Sequence, residues 1–276
     1  MSELSSQDLL DLTALANRLA DAAAGASLPH FRARSLDAEN KLADGFDPVT
    51  VADRAAEQAM RDVLAAERPD DGVFGEEQAR TPGTSGLTWV LDPIDGTRAF
   101  ISGLPVWGTL IALDDEHAGR IGVIDQPFTG ERFIGVVDGD NSRAWLSRGD
   151  EEVALSTRRN VSLAEATMFT TDPFIFSEVD AAAFHAVRAL ARLTRYGTDC
   201  YAYALVAMGT VDLVVEAELE AYDIAAHVPL IRAAGGVVTD WDGGDCRWGG
   251  TVLAAGSPEL HQDALELLQS VRRQAR

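Results

Sequence analysis

Trp89-Val90-Leu91-Asp92-Pro93-Ile94-Asp95-Gly96-Thr97 is the stretch whose reading decides how the rest of this chain is arranged. Three apolar residues run into a turn that carries two carboxylates, a glycine and a hydroxyl. The apolar run predicts a buried strand that stops at Pro93 and Gly96. Asp92 and Asp95 then stand at the strand's mouth, where both can face one centre. Carboxylates held that close repel each other unless a cation lies between them. A hard divalent ion such as Mg²⁺ fits, because it takes oxygen ligands and keeps positions for water and phosphate. Asp beside Gly also caps backbone N–H groups in ordinary turns. The turn alone therefore leaves two readings open, and the flanking chain has to choose.

Upstream, Val73-Phe74-Gly75-Glu76-Glu77 reads as a short strand ending in two acids. Thr81 to Gly86 follows as a polar, Gly-rich loop with the composition of a mobile flap. Pro48 and Thr50 mark a helix start with Asp53 in the first turn, and Ala56, Ala59, Met60, Val63 and Leu64 continue it to Pro69. Asp53 there has an ordinary role as a cap and a favourable dipole contact. An earlier helix is predicted from about Ser6 to Ala26, with Leu9, Leu12, Leu15, Ala16 and Leu19 at helical spacing and a Ser5/Asp8 capping box. Arg34 to Pro48 is irregular and contains Lys41.

Downstream, Arg98 to Pro105 reads as a connection. Strands are predicted over Val106–Leu113, Arg120–Ile124, Arg132–Val137 and Arg143–Leu146. Composition changes at the polar turn Ser147-Arg148-Gly149-Asp150, which divides the chain into an N-terminal α+β subdomain (1–147) and a C-terminal α/β subdomain (148–276). The second half alternates. Strands are expected near Ala166–Thr170, Arg192–Tyr196, Val211–Val215, Val237–Trp241 and Thr251–Ala255. Helices are expected near Ser177–Leu190, Cys200–Met208, Tyr222–Ala234 and Pro258–Arg272. No internal repeat is present.

Composition excludes several classes. The 276 residues suit one large domain or two small ones sharing a cleft. The formal net charge of −21 repels nucleic acid and anionic membranes. It also repels a free phosphate ester, so a phosphate site must reverse the local field, which bound cations do. No apolar run is long enough to span a bilayer, and the N-terminus lacks the pattern of a signal peptide. Two cysteines, Cys200 and Cys246, without a Cys-x-x-Cys pair, predict neither a disulfide framework nor a zinc site. A reducing cytoplasm is the expected location.

Glu76, the Asp92/Asp95 pair and Asp223 thus fall at element ends, where distant segments can meet in one cleft. With the Ile94 carbonyl they form an oxygen donor set for octahedral coordination. Cations there could bridge a phosphate and acidify a water. Thr97 can hydrogen-bond that water and pass a proton towards Asp53 or Glu76. Gly96 lets the backbone approach the phosphate, so that its N–H and that of Thr97 can donate.

Asp92-Pro93-Ile94-Asp95-Gly96-Thr97, Gly75-Glu76-Glu77 before it, and Tyr222-Asp223-Ile224-Ala225-Ala226 followed by Ala234-Gly235-Gly236 after it together resemble the inositol monophosphatase family of Mg²⁺-dependent, Li⁺-sensitive phosphatases. The resemblance runs from Lys41 to about Asp240. It implies a layered αβαβα sandwich of the inositol monophosphatase and fructose-bisphosphatase type, and a homodimer. It implies Mg²⁺, two or three per site, on Glu76, Asp92, the Ile94 carbonyl, Asp95 and Asp223. Thr97 matches the catalytic threonine and Asp53 the acid paired with it, while Lys41 falls near a lysine of the family. Tyr222 departs from the pattern, since many members carry Trp there.

The flanking text, from Thr97-Arg98-Ala99-Phe100 through Gly122-Val123-Ile124-Asp125-Gln126-Pro127 to Arg195-Tyr196-Gly197-Thr198-Asp199-Cys200, resembles the histidinol-phosphatase branch. Asp199 and Glu216 lie where the family contacts the non-phosphate part of its substrate. Two carboxylates there favour a cationic alcohol such as L-histidinol over a neutral ring, although Glu216 could equally accept from a sugar hydroxyl. The expected partner is therefore a small phosphate ester. Inositol-1-phosphate or another sugar phosphate is the alternative. A nucleotide 3′-phosphatase and a catalytically silent metal- or phosphate-binding protein rank below both.

Overall fold

The computed structural model describes residues 4–33, 38–40 and 48–274. The chain opens with α1 (Ser6–Ser27), capped by a reciprocal Ser5/Asp8 box, as its sequence predicts. β1 (Ala38–Asn40) and β2 (Pro48–Thr50) pair antiparallel and lead into α2 (Val51–Glu67). Then come β3 (Gly72–Gly75), β4 (Thr88–Asp95), the short helix α3 (Thr97–Ile101), β5 (Gly108–Asp114), β6 (Gly119–Gln126), β7 (Glu131–Val136), β8 (Arg143–Arg148) and β9 (Glu151–Ala154). The seven strands from β3 to β9 form one sheet in chain order. Only β3–β4 is parallel; the other neighbours pair antiparallel. The polar turn at Ser147–Asp150 joins β8 to β9. β9 is exposed throughout and lacks an apolar alternation, so no strand was expected there.

The second half holds β10 (Thr167–Thr170), α4 (Glu178–Leu190), β11 (Leu193–Tyr196), α5 (Asp199–Ala207), β12 (Leu213–Glu220), α6 (Ala221–Ile224), α7 (His227–Ala233), β13 (Val237–Thr239), β14 (Gly249–Ala255) and α8 (Pro258–Gln274). Its five strands are ordered β11-β10-β12-β14-β13, parallel on the β11 side and antiparallel on the β13 side. Among the described residues no helix is long and apolar enough to cross a membrane.

Three cores stack the layers. Leu9, Leu12, Leu15 and Leu19 of α1 join Met60 and Leu64 of α2 over Trp89, Leu91, Ile111, Val123 and Ile134 on one face of the large sheet. Alternate residues of those strands, Val90, Leu110, Ile124 and Phe133, face the opposite way. They meet Tyr203 and Val206 of α5, Val228 and Ile231 of α7, and Val214 and Val252 of the small sheet. The other face of the small sheet, with Leu213, Val215 and Leu253, is covered by Phe184 and Val187 of α4 and by Leu260 and Leu268 of α8. The order is α1α2, large sheet, α5–α7, small sheet, α4α8: the αβαβα sandwich expected from the resemblance.

The middle layer sits unusually close to the large sheet. Ala112, Gly122, Gly135 and Ala144 are cross-strand neighbours on β5 to β8 and make a row of small residues. The start of α7 lies across it. A Cβ on Gly122 would stand 1.9 Å from the Ala226 carbonyl oxygen, and one on Gly135 2.2 Å from the Leu230 Cα. Only glycine permits that approach.

Three local expectations need correction. Pro93 does not end β4. The register passes from Asp92↔Leu110 to Asp95↔Gly108, so β4 holds one extra residue there, and the proline sits inside the resulting bulge, where no ladder N–H is required. The segment Tyr222–Ala234 is two helices, because Pro229 cannot donate to a carbonyl one turn back and is accommodated in the first turn of α7. Thr81–Gly86 is held rather than hanging as a flap. Thr81 bridges Val73, and the N–H groups of Thr84 and Ser85 donate to the Asp70 carbonyl. The Ser85 hydroxyl donates to buried Asp71 at 2.7 Å.

Candidate active site

The bulge in β4 turns the strand's end into the wall of a cleft of about 290 Å³ between the two sheets. Glu76, Asp92, Ile94, Asp95, Gly96, Thr97, Asp199, Glu216 and Asp223, all singled out from the sequence, line it. Asp53 lies behind that lining, against Thr97. Lys41 is outside the described residues.

Four of these acids, Asp92, Asp95, Asp223 and Asp53, are each fixed through one oxygen by a backbone N–H. Asp92 accepts from Ile94 N at 3.0 Å and Asp95 from Cys200 N at 2.7 Å. Asp223 closes a capping box at the start of α6, accepting from Glu220 N at 2.8 Å. Asp53 does the same for α2, accepting from Thr50 N at 2.8 Å and from the Thr50 hydroxyl at 2.6 Å through Oδ2. Its Oδ1 faces the Thr97 hydroxyl at 3.4 Å, and that hydroxyl also lies 3.1 Å from the Ile94 carbonyl oxygen. Capping and a part in the cleft therefore coexist in one side chain, one oxygen for each. Such charge-assisted bonds from backbone donors hold a carboxylate in one rotamer.

Asp92, Asp95 and Asp223 offer carboxylate oxygens that all lie within 4.8 Å of one another. Burial and mutual repulsion push the Asp92 carboxyl well above the usual carboxylate range, with Glu76, Asp95 and Asp223 all contributing. Asp95 is raised likewise, by burial first and then by Asp199 and Asp223. A cluster that resists its own ionisation is one in which a cation has the most to gain. All donors are hard oxygens, so the residues fit Mg²⁺ better than a thiolate- or imidazole-seeking metal.

Gly96 carries the turn. Its φ is +76°, a conformation glycine adopts freely, and a Cβ would lie 2.9 Å from Asp199 Oδ2. Asp199 thus packs directly on the turn. Burial pushes its carboxyl up to about 6, partly offset by the Arg98 guanidinium. Glu216 is buried in β12. Thr171 N donates to its Oε1 at 2.6 Å, while Oε2 has no partner among the described residues. Burial lifts its carboxyl to about 8 against the pull of those hydrogen bonds.

Glu218 and Arg98 also line the cleft, and neither was assigned from the sequence. Arg98 follows the turn directly in sequence. Glu218 was not legible, because β12 bulges between Glu216 and Leu219 with no proline or glycine of its own to mark it.

A family model described as "Inositol monophosphatase family" matches residues 8–273. The chain belongs to the inositol monophosphatase family. It is a phosphoric monoester hydrolase of that family, with the family's two mixed sheets. The chain is 42% identical over 279 residues to the bifunctional phosphatase IMPL2, chloroplastic, of Arabidopsis thaliana, covering 97% of this chain and 78% of that one. It is 36% identical to the histidinol-phosphatase of Chlorobaculum parvum, covering 83% and 85%. A solved inositol monophosphatase from Zymomonas mobilis superposes with a TM-score of 0.82 at 40% identity, over 96% of this chain and all of that one. Proteins named as a bifunctional phosphatase, a histidinol-phosphatase and an inositol monophosphatase thus each match most of this chain.

Proposed function

We propose that this chain hydrolyses L-histidinol phosphate to L-histidinol in histidine biosynthesis, using Mg²⁺ and an activated water. The observation that carries the reaction is the convergence of Asp92, Asp95 and Asp223 within 4.8 Å beside the Thr97–Asp53 pair. Glu76, Asp92, the Ile94 carbonyl, Asp95 and Asp223 would hold two or three Mg²⁺ ions. Bound there, the metal supplies charge neutralisation for the phosphate and a lowered pKa for water.

The remaining roles belong to the chain. Thr97 Oγ orients the attacking water and relays its proton to Asp53 Oδ1, and Asp53 stays aligned because its other oxygen is tied to Thr50. Glu76 is a second acceptor for that proton. The N–H groups of Gly96 and Thr97 would donate to the phosphate at the turn that the positive φ of Gly96 creates. Lys41 stays in the proposal on the family resemblance alone.

The substrate reading rests on Glu216 and Glu218 of β12 and on Asp199, which packs on the Gly96 turn. Asp199, Glu216 and Glu218 place three acids where the alcohol part of the ester would lie. An amine or imidazolium there would ionise Asp199 and Glu216, both of which burial holds up, and would gain a charge-assisted bond from each. The second reading, inositol-1-phosphate or a broader range of sugar phosphates, is favoured by the same unpartnered Glu216 oxygen, which a ring hydroxyl would satisfy equally. A nucleotide 3′-phosphatase ranks lower, because the described lining holds no aromatic ring to stack a base. A silent metal- or phosphate-binding role ranks last, since every acid of the cluster and Thr97 are in place. The homodimer expected from the resemblance is part of the proposal, and light scattering tests it.

The deciding experiment measures phosphate release from histidinol phosphate, inositol-1-phosphate and a 3′-phosphonucleotide side by side, with Mg²⁺ and then with added Li⁺. We expect the highest kcat/KM on histidinol phosphate and inhibition by Li⁺. A clear preference for inositol-1-phosphate would hand the function to the second reading.

A further inference from the structure

α2 carries two fully buried acids one turn apart, Asp53 and Glu57. Asp53 is accounted for by Thr50 and Thr97. Glu57 touches neither, and a buried carboxylate without a purpose is costly. Its Oε2 accepts from Glu77 N at 2.7 Å and its Oε1 from Gln78 N at 3.1 Å. Arg61, on the next turn, donates to the same Oε1 at 2.7 Å and reaches on to the Gln78 carbonyl at 3.3 Å and the Thr81 hydroxyl at 3.2 Å. Gly75 is shaped to this contact, since a Cβ there would lie 2.3 Å from Glu57 Oε1.

Glu76 is the residue between these anchors. On one side its own N–H donates to the Leu91 carbonyl of β4 at 3.2 Å. On the other, the next two N–H groups are held by Glu57. The backbone around Glu76 is thus gripped from both directions just where β3 ends.

We propose that Glu57, braced by Arg61, is a positioning residue that aims Glu76 at Asp92, so that α2 sets the place of the proton acceptor Asp53 and of the Glu76 ligand together. The inference rests on the reading of Glu76 as a metal ligand. Two acceptor oxygens on one side chain are required. Glutamine has one, so Glu57→Gln leaves a backbone N–H of the turn without its partner and removes the counter-charge of Arg61. An apolar residue would free both N–H groups. Partners of this outer kind orient the groups that meet the metal, and their loss lowers metal affinity while the chemistry at saturating metal is largely kept.

The test is Mn²⁺ binding to metal-stripped protein, followed by electron paramagnetic resonance, alongside thermal unfolding and the Mg²⁺ dependence of turnover. Glu57→Gln should weaken Mn²⁺ binding about tenfold. The Mg²⁺ needed for half-maximal rate should rise by the same factor, and kcat at saturating Mg²⁺ should stay within about threefold of wild type. Leu268→Ala, a core truncation under the far sheet, lowers the melting temperature and should leave Mn²⁺ affinity unchanged. Should Glu57→Gln fail to fold, Arg61→Met replaces it, with an expected loss of about tenfold, the low end of such effects. Wild-type affinity in Glu57→Gln, or in its replacement, overturns the proposal. So does an equal loss in Leu268→Ala. Glu76→Gln separates the levels: if it binds Mn²⁺ weakly while Glu57→Gln binds normally, only the positioning role fails, and if Glu76→Gln itself binds like wild type, the ligand reading and this proposal fall together.

Discussion

β4 and β12 belong to different sheets, yet each gains one residue on its partner strand where it reaches the cleft. In β4 the register slips between Asp92 and Asp95 against β5, and in β12 between Glu216 and Leu219 against β14. A bulge re-aims side chains that a regular pleat would send to opposite faces. Both strands use it to bring acids to the same space. What they do with those acids differs. On the β4 side, Asp92 and Asp95 are anchored by backbone donors and repel each other and Asp223, a state that a cation relieves. On the β12 side, Glu216 is buried with one oxygen unpartnered among the described residues, and Glu218 is held at φ +61°, outside the region a glutamate prefers. One backbone device thus serves a wall built for an inorganic ion and a wall built for an organic group. We assign the reaction to the first and the choice of substrate to the second.

Three substitutions probe that division, beginning with the largest effect. Thr97→Ala removes the proton relay of the β4 wall and should lower kcat by roughly 10²–10⁴-fold on every substrate alike, with an unchanged melting temperature. Steady-state kinetics on two esters reads this, and turnover near wild type would take Thr97 out of the mechanism. Asp199→Ala should act on substrate choice instead. We expect kcat/KM for histidinol phosphate to fall at least about tenfold further than for inositol-1-phosphate, the scale of a hydrogen bond to a charged group. Equal losses on both would place Asp199 with the β4 machinery on which it packs, and the division between walls would blur.

The smallest effect is in stability against pH. The Glu216 carboxyl sits at about 8 in the fold against 4.5 when free, so the folded state holds a proton that the unfolded chain has released. Its contribution is fully present below about pH 4.5 and is lost as pH rises through about 8. Glu216→Gln removes that slope while keeping an oxygen for Thr171 N. In chelator-treated samples the melting temperature of the variant should gain on wild type steadily between those two limits. Parallel curves would mean that Glu216 is not held protonated by burial.

The same two bulges explain what could be read from the sequence. Pro93 and Gly96 mark the β4 irregularity on the strand that bears it, so the Asp92–Thr97 turn was legible, though as a strand end and not as a bulge. Nothing in Leu213–Glu220 marks β12. Its glycines stand on the partner strand, where a Cβ on Gly249 would lie 2.4 Å from the Leu219 carbonyl oxygen. The strand was accordingly expected to end at Val215, and Glu218 was missed. Asp53 was read both as a cap and as the partner of Thr97; that a separate oxygen serves each was not legible, because it depends on how α2 lies against β4. Glu57 left no trace, since a charged residue on an otherwise amphipathic helix reads as solvated until the turn it grips is seen. Helix periods and the layer order, by contrast, followed from apolar spacing and from the family motifs.

The row of Ala112, Gly122, Gly135 and Ala144 has a consequence for the cation. α7 rests on that row backbone to backbone, and Asp223 rides on the short segment just ahead of it. The sheet therefore acts as a gauge block: the height at which Asp223 meets Asp92 is set by bare van der Waals contact, with no adjustable side chain between. A single methyl on Gly122 is a wedge under that block, lifting a ligand whose useful tolerance is about 0.5 Å. A Gly122→Ala protein should retain its hydrophobic cores and bind Mn²⁺ poorly. Metal titration and a melting curve taken together would read that combination directly, and normal binding would show that α7 can tilt without carrying Asp223 with it.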